Sequence, residues 1–455
     1  MEPLPERLDT GTRALAGGHD GAAAERLHYT CVGIGVGPAN LSLASLLCRH
    51  PALPHLFLDG KPAFSWHDGQ QIAGSSLQVT LFKDLVTLAD PTNPFSFLAY
   101  LHEQGRIHHF LNAQFSDVPR QEFRDYLDWA SRKNRHVVFG ERVLRVEFDG
   151  RFTVHSTKQT VTADNIVVGV GRAPWVPPQA QHLLGATQFH VGEFLGRAQD
   201  MGGKRVCVVG GGQSGAEAFL DLISRSDGDR PQRVTWVSRR ANYFPIDDSP
   251  FTNDYYTPSH ADHFFDLPRH AREGFITRHV LTSDGISEST LRAVYQQIYR
   301  LRFLSGAKDV TCLLPSREVV EVTGDDDRGW DLTTVHHEDP NATETLTADV
   351  IVWATGFQQA PLDFLAPIAH RMEREGREFR IDADFAVRWD GPADRNVFFQ
   401  NATHRQRGLA DRNLSLNAWR SQRILDRIAG MRTDSQLPSF IEWASPESSR
   451  TRDPR

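Results

Sequence analysis

Tyr29-Thr30-Cys31-Val32-Gly33-Ile34-Gly35-Val36-Gly37-Pro38-Ala39-Asn40 is the stretch that decides the fold. An apolar run enters a glycine turn. Asn40-Leu41-Ser42-Leu43-Ala44-Ser45-Leu46-Leu47 then supplies the small and apolar residues of a helix packed on a sheet. Leu56-Phe57-Leu58-Asp59 reads as the next strand, and Asp59 stands 24 residues after Gly35, near the spacing of a carboxylate that receives ribose hydroxyls. Gly35, Gly37, Pro38, Ala39 and Asn40 therefore outline a dinucleotide loop, with the anion on the unpaired N–H groups that open the helix. Asn40 occupies the position where the fingerprint has glycine, and its amide is expected to add a donor near the pyrophosphate.

The pattern recurs 175 residues later. Arg205-Val206-Cys207-Val208-Val209 runs into Gly210-Gly211-Gly212-Gln213-Ser214-Gly215, with glycine at all three fingerprint positions. Two such loops imply two dinucleotides in one polypeptide, and the economical reason for both is to pass a hydride from a nicotinamide to a flavin. The strand Arg233-Val234-Thr235-Trp236-Val237-Ser238 ends in Arg239-Arg240 rather than in an acid. Arginines there complement a 2′-phosphate by charge-assisted hydrogen bonds, which selects NADPH over NADH.

Two further buried strands end in glycine: Ala163-Asp164-Asn165-Ile166-Val167-Val168-Gly169 and, much later, Asp349-Val350-Ile351-Val352-Trp353-Ala354-Thr355-Gly356. Gly356 after Thr355 permits close approach of backbone to a cofactor. The late strand reads as the chain returning to its first unit. The expected fold is thus α/β with two Rossmann-like domains, the second inserted into the first. Residues 1–28 read as a disordered tail, 29–195 as the first part of an FAD domain and 196–344 as an NADPH domain. Residues 345–435 complete the FAD domain, and 436–455 form a loose tail.

Bulk properties narrow the class. A formal charge of −7 gives no electrostatic case for nucleic acid or an anionic membrane. Four scattered cysteines fit a reducing cytoplasm rather than a disulfide framework. No apolar run approaches the ~20 residues of a membrane span. His67, His109, His260, His263 and His404 lack ligand spacing, so no metal is expected. The irregular stretch from Trp66 to Pro94 is a long loop of the kind that carries function.

Several segments together resemble the microbial N-hydroxylating flavin monooxygenases of siderophore pathways, enzymes of the class B flavin monooxygenase type. They are Gly35 to Leu41, Phe64-Ser65-Trp66-His67, Gln78 to Val86, Pro91 to Phe97, Gly211 to Glu217, Asp247 to Phe251, Thr282-Ser283-Asp284-Gly285-Ile286 and Leu414 to Ser421. The likeness spans about 29–435 and is strongest to the lysine N6-hydroxylase branch rather than the ornithine N5-hydroxylases, where Ser283 would be Asn.

The resemblance implies that Trp66, His67, Gln78, Val143, Asn413 and Leu414 meet the flavin. Lys83 would hold the substrate carboxylate, Asn253 its α-amino or carboxyl group with Asp254 and Tyr255 beside it, and Ser283 and Ser415 would join the substrate site. Gln213 and Ser214 would meet the nicotinamide dinucleotide and Arg239 its 2′-phosphate. Arg407 stands where many members have His, so no role of that His transfers. The implied chemistry is N6-hydroxylation of L-lysine by NADPH and O2 through a C4a-hydroperoxyflavin, in a homo-oligomer, dimer or tetramer. The flavin carries the chemistry, and no single catalytic side chain is assigned.

Other readings remain. Putrescine, cadaverine, histamine or L-ornithine could be the amine. A disulfide reductase also pairs FAD with NADPH, but no two cysteines lie closer than Cys31 and Cys48. A non-catalytic flavoprotein would bind FAD without oxidising NADPH.

Overall fold

The computed structural model describes residues 26–77, 80–115, 117–433 and 439–443. Gln78 and most of the two expected tails lie outside them. The chain builds two parallel-sheet units, each with its own apolar core.

The first sheet contains β1 (His28–Ile34), β2 (His55–Leu58), β3 (Val137–Val138), β4 (Val143–Asp149), β5 (Arg151–Ser156) and β6 (Thr160–Val168) in the order β3-β2-β1-β6-β5-β4. β1 pairs in parallel with β2 and β6, while β4, β5 and β6 form an antiparallel meander. A late strand, Asn396–Phe399, adds in parallel to the end of β6. His28 already pairs with Thr162, so the first strand starts within the expected tail. The first glycine helix, Pro38–Leu47, packs on this sheet and is buried along nearly its whole length. Small and apolar residues suit such a sandwiched position, and its buried polar side chains, Asn40, Ser42 and Ser45, are each hydrogen-bonded to backbone carbonyls.

β7 (Arg172–Pro174) leads out of the first unit. The second sheet holds β8 (Gln188–His190), β9 (Arg205–Val209), β10 (Arg233–Val237) and β11 (Thr311–Leu314), and a three-stranded antiparallel sheet follows in β12 (Arg317–Asp325), β13 (Gly329–His336) and β14 (Asp339–Ala348). β15 (Val350–Trp353) corrects the sequence-based domain boundaries. It lies between β9 and β8 in the second sheet, with Val350 opposite Val206 and Trp353 opposite Val209. All four of its residues are buried, and a strand apolar on both faces belongs inside a parallel sheet. The second unit therefore begins before 196 and ends after 344. The return comes later, in β16 (Phe357–Gln359), which pairs antiparallel with β7.

Candidate functional site

The first glycine loop has the geometry its sequence predicts. Gly35 has φ +87°, and a Cβ there would lie 2.6 Å from the Gly169 carbonyl oxygen. Gly37 is the helix N-cap, without a side-chain cap, with Pro38 following and no acid in the first turn. A Cβ on Gly37 would meet nothing within 4 Å. Open space before uncapped N–H groups suits a pyrophosphate. Asp59 stands at the loop mouth, accepting from the Val36 N–H at 2.7 Å and the Lys61 N–H at 2.8 Å. The expectation for the Asn40 amide is corrected. Its Nδ2 donates inward to the carbonyls of Gly35 (2.8 Å), Ile34 (3.1 Å) and Val167 (3.3 Å), and its Oδ1 accepts from Gln400 at 2.9 Å. Asn40 is fully buried and locks the helix to β1 and β6 rather than facing an anion.

The second loop opens onto a cleft of about 880 Å³ between the two units. Gly210, at φ +139°, passes so close to β15 that a Cβ would lie 2.1 Å from the Ala354 carbonyl oxygen. A Cβ on Gly215 would lie 2.2 Å from the Gly210 oxygen, so the third glycine seats the helix against its own loop. The helix Gln213–Ser224 again has a glycine N-cap, Gly212, and no side-chain cap. Gly210, Gly211, Gly212, Gln213, Ser214, Arg239 and Arg240 all face this cleft, as do Trp66, His67, Ser283, Thr355 and Gly356. Thr355 and Gly356, expected on the flavin side, thus sit where both units meet.

The two arginines differ. Arg240 donates to the carbonyls of Gly211 (3.1 Å) and Asp284 (2.8 Å), bracing the loop. The Arg239 side chain is 64% exposed, with Glu318 3.5 Å away, and is the freer of the two to meet a phosphate. Burial, reinforced by Arg120, lowers the pKa of His67, which keeps its ring neutral at neutral pH. Sequence reasoning passed over Arg120, Arg172, Arg317 and Arg412, which line the same cleft from four separate segments. No local motif marks them, because only the fold brings them together.

Of the residues expected to bind substrate, Lys83 faces a tyrosine that the sequence did not mark, and the others are held by separate local contacts. The Lys83 Nζ lies 6.0 Å from the centroid of the Tyr256 ring, and among the described residues no carboxylate pairs with it. Burial lowers its pKa below the ordinary lysine range. Tyr256, unmarked in the sequence, is held by donating its hydroxyl to the Thr282 carbonyl at 2.6 Å. Its neighbour Tyr255 turns away, into a cluster with His260, Phe275, His279 and Trp443. Asn253, exposed at the end of a short helical turn, donates to the Asp248 carbonyl at 2.8 Å, and Asp254 continues the chain into the next turn. Ser283 donates to Val280 and Asp284. Ser415 is buried, donating to Asn413 Oδ1 at 2.7 Å, so Asn413 caps the turn that carries Leu414. Val143 opens β4, nearly buried. Arg407 is buried between the rings of Phe265 (4.1 Å) and Phe385 (4.2 Å), a packing role.

The family described as L-lysine 6-monooxygenase/L-ornithine 5-monooxygenase matches the chain over residues 27–359. The chain belongs to this family. It is 36% identical over 91% of its length to the L-lysine N6-monooxygenase of Escherichia coli, 98% of which is covered. It is similar in structure to DfoA bound to FAD, the cadaverine monooxygenase of Erwinia amylovora, with TM-score 0.84 and 27% identity over 91% of this chain and 99% of that one. The ornithine N-hydroxylase KtzI of Kutzneria sp. 744, solved with reduced FAD, NADP+ and L-ornithine, superposes with TM-score 0.81 and 29% identity over 89% of this chain and 99% of that one. The protein is a flavin-dependent N-monooxygenase with FAD and NADPH as cofactors, and its two glycine loops fit two such dinucleotides. Among the described residues no helix is long and apolar enough to cross a membrane.

Proposed function

We propose that this N-monooxygenase hydroxylates the N6 amine of L-lysine for hydroxamate siderophore synthesis, with FAD on the first glycine loop and NADPH on the second. The observation that carries the lysine reading is the half-buried Lys83 ammonium near Tyr256, with no carboxylate partner among the described residues. A half-buried cation is costly unless an anion meets it, and an α-carboxylate does. Identity to the Escherichia coli lysine enzyme supports the same choice. A diamine substrate would set like charges against each other.

When bound, the flavin accepts electrons from the nicotinamide and activates O2. The chain's own residues bind, orient and dry. The helix N-termini at Gly37 and Gly212 hold the pyrophosphates, and Arg239 meets the 2′-phosphate. Lys83 fixes one end of the substrate so that its distal amine is placed for reaction. An apolar surround lowers an amine's pKa by up to ~3–5 units, which yields the free lone pair that attack on oxygen requires.

The test feeds FAD-loaded enzyme L-lysine, L-ornithine, putrescine, cadaverine and histamine separately and measures hydroxylamine product. L-lysine should give the highest kcat/KM; a diamine ahead of it would overturn the lysine reading and favour the activity of the Erwinia relative. Arg239→Ala should cut the NADPH/NADH preference by about tenfold, the worth of one charge-assisted hydrogen bond. Equal losses with both nucleotides would reject the phosphate role.

A further inference from the structure

Arg120 is the first residue of the helix Arg120–Lys133 on the flavin side. A cation at a helix N-terminus opposes the helix dipole, so local chemistry does not ask for it. Its partner lies in the other unit. Nη1 and Nη2 grip Glu217 Oε2 and Oε1 at 2.8 and 2.7 Å, a bidentate pair with side-chain exposures of 14% and 6%. Arg120 Nη1 also donates to the Gln70 carbonyl at 3.1 Å, anchoring it beside His67. Glu217 lies one turn into the second glycine helix, and its Oε1 also accepts from Gln213 Nε2 at 2.8 Å. Gln213 in turn accepts from the Ser287 N–H at 2.7 Å and donates to Thr290 at 3.1 Å. A continuous polar chain thus runs from the flavin-side helix to the residue that opens the nicotinamide helix.

We propose that Glu217, gripped by Arg120, is a positioning residue for hydride transfer: it fixes the stance of the second glycine loop against the flavin unit. The inference rests on the assignment of NADPH to that loop and FAD to the other. Two separately cored units joined by connectors need a strut if donor and acceptor carbons are to meet at the short range hydride transfer requires. A buried bidentate pair suits this role, because it is directional and costly to break. Glu217 need not touch either dinucleotide to act.

Glu217→Gln keeps the side-chain shape and an acceptor for Gln213 while removing the charge. In anaerobic stopped-flow with the FAD-loaded enzyme, flavin reduction by NADPH should slow at least tenfold, while the Kd for NADP+ stays within about threefold. Reoxidation of the dithionite-reduced variant by O2 should be unchanged, and hydrogen exchange across 213–224 should speed up in the nucleotide-free holoenzyme. If Glu217→Gln does not fold, Arg120→Lys carries the test, since it keeps the charge but loses the fork. Reduction at the wild-type rate, or a parallel loss of rate, NADP+ affinity and reoxidation, overturns the proposal. A wild-type enzyme that NADPH does not reduce at all would instead refute the nucleotide assignment beneath it.

Discussion

Lys83→Ala is expected to raise the KM for L-lysine about 100-fold while flavin reduction by NADPH proceeds at the wild-type rate. A charge-assisted bond to a carboxylate contributes ~1.5–3 kcal/mol, and each ~1.4 kcal/mol is tenfold in affinity. The Lys83 ammonium is partly desolvated and lies 6.0 Å from the Tyr256 ring centroid, so part of the desolvation that carboxylate capture requires is already made. Neither Lys83 nor Tyr256 lines the cleft that holds the second glycine loop, which is why the reductive half-reaction should be spared. The pH dependence has a definite sign. Burial lowers the Lys83 pKa, and only the protonated form pairs with a carboxylate, so KM should climb with rising pH earlier than for an exposed lysine. Steady-state kinetics across pH, beside stopped-flow reduction, checks both parts; an unchanged KM in Lys83→Ala would remove the carboxylate role.

Gly35→Ala should yield a protein that purifies without its yellow chromophore and melts at a lower temperature. At φ +87° an L side chain costs ~1–2 kcal/mol before any contact is counted. The added carbon would also lie 2.6 Å from the Gly169 oxygen and 2.9 Å from the Val170 Cα, both backbone atoms that cannot rotate aside. β1 and the end of β6 would have to part, and the loop would lose its shape. Gly37→Ala is the informative companion. Its φ is −98° and its new carbon meets nothing within 4 Å, so the fold should survive while FAD affinity falls at least tenfold. The ratio of flavin to protein absorbance, with a melting curve for each variant, separates the two outcomes. Full flavin content in both would refute the first loop as the FAD cradle.

The parts of the site that were legible in the sequence are those encoded by contiguous residues. A strand, a glycine turn and a helix form from neighbours, so the geometry of both loops could be read directly, and with it the position of Asp59 and Arg239-Arg240 just past the strands that follow them. Side-chain direction was not legible. Asn40 sits in the right place but spends its amide on Ile34, Gly35 and Val167, because a buried amide must satisfy its donors locally. Tyr255 and Tyr256 are adjacent, yet only the second faces Lys83. Long-range pairing was misread as well. Val350–Trp353 repeats the pattern of β6 so closely that it suggested the same sheet, whereas a buried apolar strand fits equally well in either, and the open flank of β9 took it. Arg120, Arg172 and Arg412 are scattered among more than forty other cationic residues and gain meaning only where the two units face each other.

The antiparallel ribbon of β7 and β16 places the outgoing and incoming strands of the second unit side by side. A module whose two ends are neighbours can be spliced into a host, or cut from it, without reshaping what remains. The second unit therefore has the form of a cassette, entering and leaving its host at one ribbon, so the host sheet closes without it.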